Sequence, residues 1–281
     1  MGRCHRTRVR RENSRPMGPF EGLVNDRGPE YRVPMPVILI EHAATHSSGL
    51  LLRSLVDHGL RVQTVRIAAN ETLPTDLSEV DGIVSLGGPQ SASDDGLPWL
   101  SNEISFLEEA STQEVPILGI GLGAHILAKS MGAAPTPATS AEAGFQRIDL
   151  DPTGRDDPLF RGLPWFGSWP TWSRDQIVEL PAGARALASR DGKTIDAFAY
   201  GIFSYGIGFE PDWLSTTLID RVRDAADPVS SSITDPEALV ATVQDSAESI
   251  QRQADRFAEN VASYLMPIER VNAGVAKDIH H

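Results

Sequence analysis

Cysteine is almost missing from this chain. Cys4 is the only one among 281 residues, so no intrachain disulfide and no cysteine metal cluster can form. Long apolar runs are also missing. No stretch approaches the roughly 20 residues of a membrane-spanning helix, so no membrane partner is expected. Basic charge is scarce outside the start of the chain. Residues 1–34 hold eight Arg and four acidic residues, a net of +4 against a total of −13, which leaves −17 on the remainder. An acidic body is a poor match for nucleic acid. With 41% hydrophobic and 22% charged residues, the rest has the composition of a globular protein, and the cytoplasm is the compartment expected from its cysteine usage.

Residues 1–34 are rich in Arg, Gly and Pro and show no apolar periodicity. They lack the apolar core, about 7–15 residues long, of a secretory signal. They read as a disordered basic extension or a mis-called start, with Met35 as the natural first residue; a basic arm for an acidic partner is the functional alternative. Order is expected from Pro36-Val37-Ile38-Leu39-Ile40, a short apolar strand. A helix follows over Gly49–His58, stopped by Gly59. Arg61–Ile67 alternates as a more peripheral strand. Asp81–Leu86 is the next strand, and Leu97–Ser111 is helical, with Leu100, Ile104 and Leu107 at helical spacing. The order β-α-β-(α)-β-α-β-α implies a parallel sheet with helices on both faces.

The organising stretch is Val115–Ala128. An apolar strand meets glycines at 119, 121 and 123, and a helical pattern follows. Such a turn presents one residue at the carboxyl end of a central strand, where open α/β sheets place their chemistry. Its apex here is Gly121, which has no side chain. Glycine adopts positive φ without strain, so the turn is expected to survive the loss of a nucleophile. Two features face this elbow. Gly87-Gly88-Pro89 ends a strand, and its backbone amides suit an oxyanion or carboxylate; an ordinary strand-ending turn is the plainer reading. Leu122 and His125 begin the helix.

The segments Gly87–Ser91, Leu97–Leu100, Pro116–His125, Glu142–Phe145, Asp175–Pro181 and Tyr205–Asp212 fall in the order and approximate spacing of a known family. Together they resemble the class I glutamine amidotransferases, most of all the GMP-synthase-type glutaminase domain, over roughly residues 35–213. The resemblance implies a flavodoxin-like open parallel sheet with helices on both faces. It also implies a thiol reaction. In that family an elbow cysteine attacks the side-chain amide of glutamine, a histidine takes its proton, and a glutamate two residues on orients the histidine. The matching positions here are Gly121, Glu210 and Asp212. The glutamine-contacting position four after the nucleophile is His125, and the family's His-Gly-Asp landmark reads Ser173-Arg174-Asp175.

Gly121 offers no attacking atom. Glu210, with a reference pKa of about 4.3, is expected to be ionised and a poor base at neutral pH. Glu210 and Asp212, two apart on one strand face, read as a solvated strand-end pair. The expected protein is therefore a family-like domain without catalytic residues, a binding or regulatory module that keeps Gly87, Gly88, Pro89, Leu122 and His125 for a small amide or carboxylate ligand. One alternative is a hydrolase with a rebuilt, metal-assisted site around His125, Glu210, Asp212 and His42 or His46. Another is an amidotransferase subunit by family inheritance. No cofactor is expected. His42 and His46 have ligand spacing on a helix, but a solvated loop is the simpler reading, and no metal set is assigned.

Between the elbow and the second half, Ala133–Ala141 reads as a surface connection and Phe145–Leu150 as an antiparallel strand. Pro158–Pro164 reads as a short helical turn, with Trp165, Phe166, Trp169 and Trp172 crowding the loop after it. Arg185–Ala188 and Ala197–Tyr200 read as paired strands. The expected domain spans 35–232. Residues 233–267 form a helical appendage, capped by Thr234 with Pro236 and Glu237 in its first turn and stopped by Pro267. Its apolar stripe runs from Leu239 to Leu265 over about 30 residues, broken once, and packs on the chain's own sheet or on a protein partner or second copy. Residues 268–281 read as a disordered tail.

Overall fold

The computed structural model describes residues 35–43 and 49–266; the expectations for 1–34, His46 and 267–281 fall outside them. β1 (Pro36–Glu41), α1 (Gly49–Asp57), β2 (Arg61–Arg66), β3 (Gly82–Ser85), α2 (Leu100–Thr112), β4 (Ile117–Ile120) and α3 (Leu122–Ser130) follow in the expected order. Only two short 3-10 turns occupy the segment between β2 and β3. The second half holds β5 (Thr136–Leu150), α4 (Pro152–Asp156), β6 (Phe166–Gln176), β7 (Ala184–Arg190), β8 (Thr194–Tyr200), β9 (Ser204–Ile207), α5 (Ser215–Arg223), α6 (Pro236–Asp245) and α7 (Ala247–Asn260).

The nine strands form one sheet in the order β2-β1-β3-β4-β9-β8-β7-β5-β6. The first five are parallel, as the flavodoxin-like reading requires. The other four pair antiparallel, so the sheet as a whole is mixed.

Alternation along the strands builds a core on each face. In β1, Val37 and Leu39 pack with Leu51 and Leu55 of α1 and Phe257 of α7. Ile38 and Ile40 point the other way, into a cluster with Leu100, Phe106 and Leu107 of the α2 region and Ile126 of α3. β4 divides its residues similarly, with Leu118 and Ile120 on the first face and Ile117 on the second. A third cluster joins Trp172 and Trp213 to Leu218, Val222, Val240, Val243 and Ile250. The C-terminal helices therefore bury their apolar stripe within this chain, α6 in the third cluster and the end of α7 in the first.

Three sequence expectations need correction. Ala133–Ala141 is not a surface connection, because β5 begins at Thr136 and pairs with Asp175 and Gln176 before a register shift. The aromatic stretch is not a loop. Phe166–Gln176 is strand β6 at the sheet edge, with Trp169 and Trp172 buried and Phe166 and the preceding Trp165 exposed. The cap of α6 is Asp235, not Thr234; its carboxylate accepts from Ala238 N at 3.0 Å. The break in the C-terminal helix falls at Ser246, between α6 and α7. Among the described residues no helix is long and apolar enough to cross a membrane.

Candidate functional site

The elbow lies at the carboxyl end of β4, at the centre of the sheet. Gly121 links β4 to α3 with φ +52° and ψ −115°, the positive φ expected of it. Its N–H donates to Ile207 O of β9 at 2.8 Å, and its carbonyl accepts from Ala124 N at 3.1 Å. Gly123 N donates to Leu86 O at 3.1 Å. A Cβ on Gly123 would overlap Ser85 O, so glycine there lets α3 close onto β3.

The space beside Gly121 is occupied. A Cβ on residue 121 would overlap Glu210 Oε1, and Gly87 Cα would lie 3.2 Å away. A Cβ on Gly87 would lie 2.7 Å from the same Oε1 and 3.1 Å from Oε2. The Glu210 carboxyl is thus held between two glycines, where a side chain of residue 121 would stand. Gly88 is equally crowded, with Leu122 Cδ2 2.8 Å and His42 Cβ 2.9 Å from its would-be Cβ. Gly87, Gly88 and Leu122 converge on the elbow as the sequence suggests, and Pro89 is half-buried at the edge of this group.

Glu210 and Asp212 are not a solvated strand-end pair. β9 ends at Ile207, and both residues sit in the turn beyond it, where Glu210 N donates to Pro170 O at 2.8 Å. Glu210 is 1% exposed and Asp212 4%. Both Glu210 oxygens and Asp212 Oδ1 lack a hydrogen-bond partner among the described residues. Burial pushes the Glu210 carboxyl well above the usual range; Asp212 adds to this and Arg221 opposes it. Burial also raises Asp212 to about 6. Burial therefore favours the protonated form of Glu210, and the neighbouring Asp212 carboxyl pushes the same way, because a dry site resists two adjacent carboxylate charges. The burial of both residues replaces the solvated setting on which the expected ionised Glu210 rested.

His125 is buried in α3, and desolvation lowers its pKa to about 4, with Asp175 opposing and Arg190 assisting. It is a neutral imidazole. Asp175, in the family's His-Gly-Asp landmark, fastens β6 to the loop after β3 by accepting from Ser91 Oγ and Ala92 N, each at 2.7 Å. Arg190 pairs with Glu142 at 2.6 Å and Asp196 at 3.1 Å.

His42 also departs from expectation. It is fully buried, not part of a solvated loop. Its Nε2 lies 2.8 Å from Glu103 Oε2, and Ser85 Oγ donates to Glu103 Oε1 at 2.7 Å. Sequence reasoning missed Glu103. The signal was there, since an acid at 103 falls on the same helical stripe as Leu100 and Leu107, where only a buried partner makes a charge tolerable. No group of three or more His, Cys, Asp or Glu side chains is placed to hold a metal among the described residues.

Comparison with known proteins gives a consistent answer. Residues 44–200 match the family described as glutamine amidotransferase class-I. The chain is 31% identical over 179 residues to the glutamine amidotransferase-like protein YfeJ of Salmonella typhimurium, covering 61% of this chain and 73% of that one. It is 31% identical over 137 residues to a glutamine-hydrolyzing GMP synthase of Chlorobium chlorochromatii, where it covers 46% of its own length and spans only 25% of the relative. Among solved structures, a glutamine amidotransferase from Thermotoga maritima superposes with a TM-score of 0.71 at 23% identity, covering 82% of this chain and 99% of that one. At that identity the superposition speaks for the fold.

Proposed function

The chain belongs to the class I glutamine amidotransferase family, and from that premise we propose that it is a member without the glutaminase reaction, retained as a binding or regulatory module. One observation carries the reading. The Glu210 carboxyl fills the volume in which a nucleophile on residue 121 would stand. Covalent attack on a carboxamide needs a side-chain nucleophile and a base that can take its proton. Gly121 supplies no such atom, and burial disfavours the ionised form of Glu210 that a base would need. The change is more than a deleted thiol, because the base position has collapsed onto the nucleophile position and closed it.

A small amide or carboxylate ligand at Gly87, Gly88, Pro89, Leu122 and His125 belongs to this proposal, as does a protein partner. The cytoplasm remains our proposed location, on the single-cysteine composition. A second reading, a rebuilt hydrolase, draws support from the same two carboxyls. Two neighbouring buried carboxyls with raised pKa values are a pairing that acid–base catalysis uses. It gains no metal set among the described residues, and we rank it second.

The test is ammonia release from glutamine by the full chain and by its Cys4→Ser variant, beside calorimetric titration with glutamine. The expected result is no turnover in either protein. Turnover that survives Cys4→Ser would overturn the proposal, and its loss on chelation would favour the rebuilt hydrolase. A Gly121→Cys, Glu210→His double variant, which removes the Glu210 carboxyl and restores both family side chains, is the form in which family chemistry should reappear.

A further inference from the structure

A cleft of about 520 Å³ opens between α2 and the connection after β2. It lies apart from the elbow group of Gly87, Gly121 and Glu210, none of which lines it, and it does not rest on the loss of glutaminase chemistry. Its helical wall presents Trp99, Asn102, Phe106 and Glu109. These positions, three to four residues apart, form one stripe about 15 Å long at 1.5 Å per residue. The opposite wall includes Glu71 and Pro74. That wall is tied at its base, where Arg66 N donates to Glu71 Oε2 at 2.8 Å and Glu71 N donates to Arg66 O at 3.3 Å.

The aromatic wall is fixed from behind. The Trp99 ring packs on His42 at 5.1 Å between centroids, and His42 is held by Glu103. The lining combines apolar rings with two carboxylates, and no Lys, Arg or His among the described residues contributes to it. Such a lining rejects phosphates and carboxylates. Glu109 receives one hydrogen bond, from Gln113 Nε2 at 3.0 Å on Oε1, which leaves its other oxygen for a ligand. Glu71 also faces Arg66 Nη1 at 3.7 Å, so Glu109 is the freer of the two. A chain of net charge −13 adds long-range attraction for cations.

We propose that this cleft binds an elongated organic polycation, a linear aliphatic polyamine, with its methylene segments along Trp99, Phe106 and Pro74 and its ammonium groups at Glu109 and Glu71. Length selects it over a compact amine, since the stripe is about 15 Å long. Aromatic faces and carboxylates select it over a neutral chain, because ammonium groups are drawn to both.

The experiment is calorimetric titration of the full chain with spermidine at low ionic strength. Magnesium chloride and 1,8-octanediol, a neutral chain of comparable length, are the controls. Saturable spermidine binding is expected, with no competition from equimolar magnesium and none from the diol. Glu109→Gln, an exposed change that spares the fold, should weaken binding about three- to tenfold, and Trp99→Ala about tenfold. Absence of saturable binding would overturn the proposal. So would equal competition by magnesium or the diol, or wild-type affinity in both variants.

Discussion

Replacing Gly121 with alanine tests the coupling at the elbow most directly. The added methyl meets two obstacles. The first is backbone strain, since φ is +52° and an L residue held there costs about 1–3 kcal/mol. The second is overlap with Glu210 Oε1. A carboxyl at the end of a side chain can often swing aside, but this one is buried and hemmed in by Gly87 on its other side. Overpacking of that kind costs about 1–3 kcal/mol. Together the two terms give about 4 kcal/mol of destabilisation. In a Glu210→Ala background the second term disappears and about 2 kcal/mol remains, a coupling energy of about 2 kcal/mol. Gly132→Ala isolates strain alone, because Gly132 has φ +88° and no atom within 4 Å of a would-be Cβ; it should cost about 1–2 kcal/mol. The assay is urea unfolding of all four variants beside the parent. If Gly121→Ala and Glu210→Ala add within about 0.5 kcal/mol, or if Gly121→Ala costs no more than Gly132→Ala, the carboxyl does not occupy that space and the reasoning fails.

Other consequences are open to measurement. Glu210 and Asp212 have raised folded pKa values, so the native state binds more protons than the unfolded chain. Their contribution is complete below the unfolded carboxylate range of about 4 and is lost as pH rises through about 6 and beyond. Glu210→Gln should flatten that decline, and identical pH–stability profiles for the two proteins would contradict the assignment. Glu103→Ala should strand buried His42 and Ser85 and cost about 3 kcal/mol, against about 1 kcal/mol for Ser85→Ala; thermal melts giving equal costs would remove the central role of Glu103. Asp235→Ala should cost about 1 kcal/mol through loss of the α6 cap, and Thr234→Ala almost nothing; the reverse order in chemical denaturation would return the cap to Thr234.

The parallel half of the sheet was legible because its signals are local. Apolar runs such as Val37–Ile40 and Ile83–Val84 alternate with helical stripes, and glycine at 119, 121 and 123 announces the turn. The antiparallel half was harder. Pro137 lies just before the β5 register shift, and Pro170 lies in edge strand β6, where a missing N–H is tolerated. Read in one dimension, such prolines look like loop residues. The site was legible as a set of positions but not as an environment. Spacing placed Glu210 and Asp212 together, yet depth decides their protonation, and depth comes from Pro170, Gly87 and Gly121, which are distant in sequence. His42 showed the same limit, because its partner Glu103 lies 61 residues away.

The neighbouring of β4 and β9 also bears on how the chain folds. These strands are adjacent at the middle of the sheet, but their paired residues, such as Ile117 and Ser204, are 87 apart in sequence, and everything from α3 through β8 lies between them. Closing that junction carries the large loop-entropy cost that slows topologies rich in distant contacts. Until β9 arrives, β4 is a bare strand edge, and the elbow lacks the Ile207 carbonyl that receives Gly121 N. A fragment cut at residues 44–200, the span that matches the family, would lose β1 and β9 together and expose unpaired edges on β2, β3 and β4. Such edges invite strand-to-strand association, so that fragment should aggregate, and the fold is complete only when the chain continues through β9.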